Sequence, residues 1–203
     1  MTTFVAWLFI FGLSVAAYVF VKKLLAKRDL SLLPKQFIVA DIETTGLDPY
    51  KHEIIEIAAI RVNRDSKTHD TITVLVKPQG QLPKKITDLT GITVEMLERD
   101  GESLEKAISD FLAFIGDHRL VFYNAPFDLP FLIKAAGRYQ KRIKNPVSDA
   151  LDMARRAWPD LKSYKLTDVA RSLNIKGAHR ALKDCELTVT VYCAATLELR
   201  RLS

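Results

Sequence analysis

Five residues of this chain have the types and spacing to do chemistry. Asp41 and Glu43 stand two apart at the end of an apolar run, FIVADI at 37–42. On a strand, that spacing puts both carboxylates on one face. Two like charges side by side are costly to bury unless a cation neutralises them. Thr44, Thr45 and Gly46 then turn the chain, and glycine lets backbone approach a ligand closely. Asp128 lies in YNAPFDLPFL, where Pro126 suits the first turn of a helix. His179 and Asp184 frame HRALKD at the start of another helix. Singly, each has a structural reading: a polar strand end, an acid complementing a helix dipole, a polar helix start. Together, four carboxylates from three segments and one imidazole can converge at one end of a sheet. Hard oxygen donors of this kind suit Mg²⁺ or Mn²⁺ rather than zinc. Two such ions ~3.5–4 Å apart can clamp the attacking and leaving oxygens of a phosphodiester. A nearby histidine can take a proton from the attacking water at neutral pH. The chemistry is metal-assisted phosphodiester hydrolysis.

Holding three distant segments at one point requires a scaffold, and the hydrophobic pattern supplies it. Strands are expected at 37–42, 54–62, 71–76 and 120–123. Helices are expected at 102–115, 126–139, 148–158, 166–173 and 181–202. Strands in succession followed by alternating helices and strand indicate an α/β domain, a mixed sheet flanked by helices. The chain has 203 residues, 48% of them hydrophobic, which excludes a disordered polymer. Two cysteines exclude a disulfide scaffold and a four-cysteine zinc site. If Cys185 and Cys193 share a helix they lie ~12 Å apart, too far to bond. The net charge of +6 leans towards polyanionic partners.

The amino terminus differs from the rest. Residues 3–21 carry no charge, and at ~1.5 Å per residue their length approaches the ~30 Å hydrocarbon layer of a bilayer. A secretory leader would carry basic residues before the apolar run; here KKLLAKR follows it. The expected organisation is a single-pass transmembrane anchor at 1–21, a basic linker at 22–35 and one domain at 36–203. Lys22, Lys23, Lys27 and Arg28 would hold that domain on the cytoplasmic side.

Three segments also carry a family likeness. DIETTG at 41–46, NAPFD at 124–128 and HRALKD at 179–184 resemble, in order and spacing, the signature motifs of the DEDDh, or DnaQ-like, 3′–5′ exonucleases. KSYKLTDVARSLNI at 162–175 is similar to the family's approach to its third motif. The resemblance covers roughly residues 36–200. It implies a ribonuclease H-like fold for an exonuclease domain at 36–203, and two divalent cations, Mg²⁺ or Mn²⁺. It implies that Asp41, Glu43 and Asp184 bind metal directly, with Asp128 contributing directly or through water, and that His179 is the general base. Thr45 and Gly46 resemble backbone positions that hold the terminal nucleotide. Leu47 resembles a residue packing on its base, and Asn124 and Phe127 shape the second motif. Tyr123 stands where many relatives carry His. Glu56 is read as structural, and His52, His69 and His118 as surface residues.

The partner implied is nucleic acid, single-stranded 3′ ends above all, with the membrane engaged through the amino-terminal helix. Lys134, Arg138, Lys141, Arg142, Lys144, Arg155, Arg156, Lys162 and Lys165 could form a phosphate track, and Trp158 and Tyr164 could stack on bases. Two alternatives stand beside a membrane-anchored exonuclease releasing nucleoside 5′-monophosphates. One is a nucleic-acid-binding or regulatory module with a vestigial site; the other is the proofreading subunit of a DNA polymerase.

Overall fold

The computed structural model describes residues 30–66, 68–175 and 181–202. The expected anchor lies outside them, as does the linker up to residue 29. Among the described residues no helix is long and apolar enough to cross a membrane. The remaining linker residues belong to the folded body. Leu33 is buried, and the Arg64 guanidinium donates to the carbonyls of Ser31 and Leu33.

Five strands form one mixed sheet in the order β3-β2-β1-β4-β5: β1 (Gln36–Thr44), β2 (Ile54–Asn63), β3 (Asp70–Leu75), β4 (Leu120–Phe122) and β5 (Val147–Asp149). The first three are antiparallel neighbours, whereas β4 pairs parallel to β1, and β5 parallel to β4. Strand β1 is central because it is apolar on both faces. Ile38, Ala40 and Ile42 pack under α3 (Leu104–Ile115) and α4 (Ala125–Arg138), against Phe111, Ile115, Phe131 and Leu132. Phe37 and Val39 face the opposite layer, where α7 (Ala181–Leu202) brings Cys185, Val189, Tyr192 and Cys193. The Phe37 and Tyr192 rings meet at 4.9 Å. Deleting a side chain such as Phe37 costs about 3–5 kcal/mol.

The expected mixed sheet flanked by helices is therefore present, with three additions. Helices α1 (Lys84–Thr90) and α2 (Val94–Asp100) close over Ile55 through Ile92 and Leu97. Gly91 ends α1 in the left-handed region at φ 72°, and the Thr93 hydroxyl then caps α2 by accepting from Met96 N–H. The third addition is β5. It takes Val147–Asp149, so the helix expected from 148 begins at Ala150 as α5 (Ala150–Ala157). Helix α6 (Leu166–Ser172) packs between α5 and α7 through Val169.

Candidate active site

Strand alternation sets the first pair. Continuing the series Phe37, Val39 towards the end of β1 turns Asp41 and Glu43 to the α7 face of the sheet. Helix α7 supplies Asp184 in its first turn, anchored next door by Cys185, whose thiol lies 3.6 Å from the Ala58 carbonyl. One carboxylate oxygen each from Asp41, Glu43 and Asp184 can be chosen so that all three lie within 4.8 Å of one another. All three residues are half-buried. Glu56 stands directly across from Glu43 in the β1–β2 register and is buried. The Asp41 carboxyl is pushed well above the usual range, by its removal from water first, then by the charges of Asp128, Glu43, Asp184 and Glu56. Clustered acids that repel one another this strongly are a donor set for a hard divalent cation, which removes the repulsion on binding.

Asp128 is held differently. Strand β4 stops at Phe122, so the Ile42 N–H runs past its end and meets Asp128 Oδ1 at 3.2 Å. Asp128 is buried in the first turn of α4, and burial pushes its carboxyl up despite that hydrogen bond. The turn that aims it contains Asn124 at φ 74°, a left-handed conformation uncommon outside glycine. Asp149 holds this turn: one carboxylate oxygen accepts from Asn124 N–H at 3.0 Å and from Leu151 N–H at 2.9 Å, where it also caps α5. Asn124 itself is exposed. Phe127 is half-buried and packs on Phe131, at 5.5 Å between ring centres, within the α3–α4 layer. Tyr123 donates its hydroxyl to the Tyr164 carbonyl, tying the second motif to the segment before α6.

The loop after β1 is stapled at its ends. Thr45 N–H donates to the Glu53 carbonyl and Glu53 N–H to the Thr45 hydroxyl, each at 2.9 Å. The Thr44 hydroxyl donates to the Gly46 carbonyl at 2.7 Å. Thr45 is thus buried and its own N–H committed, while Leu47 projects into solvent at 81% exposure, free to meet a flat apolar surface.

Other sequence expectations fare unevenly. His179 lies outside the described residues. Trp158 and Tyr164 are half-buried and packed against Ala154, Val169 and Val191, so they support the fold rather than present a stacking face. In the basic series, Lys134 donates to the Pro49 carbonyl and Lys141 to the Ser109 hydroxyl, whereas Arg138, Arg142, Lys144, Arg155, Arg156, Lys162 and Lys165 are exposed. His52 is half-buried, with its ring against Gly46. Asp149 and Lys134 were not expected as supports of the site. Asp149 did carry a signal, an acid placed to cap a helix. Its second bond, to Asn124, did not.

The exonuclease family model RNase_T matches residues 38–192. The chain belongs to that family. As an exonuclease it is 37% identical over 180 residues to DNA polymerase III subunit epsilon of Aquifex aeolicus, covering 87% of this chain and 88% of that protein. It is also 37% identical over 158 residues to DNA polymerase III PolC-type of Clostridium perfringens, of which it spans 11%. Among solved structures, Escherichia coli exonuclease I with a dT13 oligonucleotide superposes with a TM-score of 0.72 at 21% identity, covering 83% of this exonuclease and 42% of that chain. The sheet and its flanking helices are the ribonuclease H-like fold, and the exonuclease is of the DEDDh 3′–5′ type. It is a phosphodiester hydrolase that works with two divalent cations, and the convergence of Asp41, Glu43 and Asp184 fits that requirement.

Proposed function

We propose that this exonuclease removes nucleoside 5′-monophosphates one at a time from single-stranded 3′ ends, and does so while tethered to a membrane. The observation that carries the chemistry is the meeting of Asp41, Glu43 and Asp184 within 4.8 Å, with Asp128 fixed beside them on Ile42. In this reading Asp41, Glu43 and Asp184 hold the cations, and Asp128 completes the acidic set directly or through water. When bound, divalent cations supply Lewis acidity for the scissile phosphate and charge neutralisation for the departing 3′ oxygen. His179 takes the proton of the attacking water. Gly46 and Thr45 form the turn against the terminal nucleotide, Leu47 packs on its base, and Asn124 and Phe127 shape the wall opposite. The exposed basic residues after the second motif hold the strand by its phosphates. The binding of dT13 by the exonuclease I of similar fold favours single-stranded DNA as the first substrate to try. The tether rests on the uncharged run at 3–21 and the basic residues after it, which would leave the domain in the cytoplasm.

The test is digestion by the purified full chain of matched single-stranded DNA, duplex DNA and RNA, with product analysis, in Mg²⁺, Mn²⁺ and chelator. Mononucleotides released from 3′ ends and abolished by chelator are expected. Undiminished hydrolysis by metal-free protein would end the reading. Protease protection in sealed vesicles tests the tether: digestion of the domain from the outer face alone would reverse the topology.

A second reading is favoured by the similarity along 88% of an epsilon subunit: proofreading for a DNA polymerase. It expects preference for a mismatched over a paired 3′ end and stable association with a polymerase.

A further inference from the structure

We propose that His52 is a positioning residue for the turn that receives the terminal nucleotide, an assignment that rests on the exonuclease reading above. Gly46 has no left-handed backbone angle that would call for glycine. What excludes a larger residue is the His52 ring. A Cβ on Gly46 would fall 2.7 Å from His52 Cγ and closer still to Cδ2 and Nε2. Real Cβ atoms do not approach that closely, so the glycine and the histidine are a matched pair, six positions apart.

The ring is itself held in place. His52 N–H donates to the Asp48 carbonyl at 2.9 Å, and Lys51 N–H donates to the same carbonyl at 3.0 Å. Nδ1 lies 3.3 Å from Asp48 N and 3.2 Å from Asp48 O. Nδ1 thus lies within hydrogen-bond reach of both backbone polar atoms of Asp48, which hold the ring over the start of the loop. The rest of the loop is fastened from outside. Lys134, on the helix that carries Asp128, reaches the Pro49 carbonyl, with its ammonium 5.2 Å from the Tyr50 ring centre. The Glu53 carboxylate accepts from Gln79 N–H at 3.1 Å and Gly80 N–H at 2.8 Å. Those ties fix the loop's flank; the His52 ring is what backs the turn at Gly46. One side of the turn is thus closed off by the imidazole, and in this reading the other receives the nucleotide.

The role separates from simple packing by its kinetic signature and by its coupling to Gly46. A misplaced binding turn weakens substrate capture, and displacements of about 1 Å can change rates by up to 10²-fold. In the full chain, His52→Ala should raise KM for a single-stranded oligonucleotide about tenfold while kcat stays within about threefold. His52→Asn, whose side-chain amide can take the place of Nδ1 against Asp48, should recover most of that loss. Gly46→Ala should raise KM in the parent yet add little in the His52→Ala background, because the clash is gone there. Equal Gly46→Ala effects in both backgrounds would overturn the assignment, as would an unchanged KM in His52→Ala. The same cycle read by melting temperature keeps the pairing testable whatever the activity. A parent chain that releases no nucleotide from any 3′ end would overturn the exonuclease reading instead.

Discussion

Replacing Asp41 by asparagine should stabilise the protein without metal and make it the less stable of the two with metal. The argument runs on the repulsion around Asp41. Its carboxyl is raised by desolvation and by four neighbouring acids, so the charged form is the unfavourable one in the fold. Asparagine keeps the shape and removes the charge. Without cations, Asp41→Asn should therefore melt above the parent. With cations the order reverses, since the parent has all three of the carboxylates that converge and the variant has two. A ligand at a hundredfold excess over its Kd stabilises by about 2.7 kcal/mol. For a chain of this size about 2–4 °C accompanies each kcal/mol, so the parent should gain about 5–11 °C. The variant should gain a small fraction of that. The assay is thermal melting of chelator-treated protein over a Mn²⁺ titration, with metal content checked before each scan. An equal cation shift in both proteins would refute the ligand assignment. A variant that melts below the parent in chelator would refute the account of the repulsion.

The same pair of proteins should show a pH dependence of known sign. Because the folded-state pKa of Asp41 is raised, the stability contributed by its protonated form is present below the ordinary value of 3.8 and lost as pH rises through the raised one. The metal-free gap between variant and parent should accordingly widen as pH rises above that value, and a gap that narrows would contradict the burial account. His179→Ala should lose about 10²–10⁴ in rate while keeping the cation-induced melting shift; near-normal turnover would remove its role as base. A chain starting at Leu30 should fold and keep its activity, whereas one starting at Gln36 should melt lower. It loses the buried Leu33, worth about 1.5–3 kcal/mol, and two acceptors of Arg64. Equal melting temperatures would show that this segment adds nothing to the fold.

The elements most legible in the sequence were the long ones, which have room to show a period. Strands β1 to β3 and helices α3, α4 and α7 each repeat their apolar pattern several times, and the alternation through Phe37, Val39, Asp41 and Glu43 gave the carboxylates a common face in advance. Helices α1 and α2 have seven residues each and β5 has three; α6 and β4 are as short and were expected, so length alone does not separate the missed elements from the legible ones. Strand β5 exists through its parallel pairing to β4, a contact between segments separated by a whole helix. Glu56 was legible as a strand residue but not as a neighbour of Glu43. That pairing depends on register, and the connection between β1 and β2 is too long to fix register by a tight turn. The pairing of His52 with Gly46, and of Asp149 with Asn124, answers to no spacing rule at all.

One feature of the sheet accounts for much of the site's location. Strand β1 has nine residues and β4 three, and their pairing runs from Ile38 with Leu120 to Val39 with Val121. Past that point the β4-facing edge of β1 has backbone donors and no strand to receive them. A buried N–H left without an acceptor costs about 1–3 kcal/mol, and Ile42 meets this by taking Asp128. The same overhang leaves Asp41 and Glu43 without a strand partner on that edge. A longer β4 would satisfy Ile42 with a carbonyl and leave Asp128 no such place on β1. The short strand thus seats an acidic group against β1, where Asp128 takes the Ile42 N–H. Asp149 completes the arrangement from β5, because the chain leaving β4 must turn sharply through Asn124 to bring Asp128 back to the overhang.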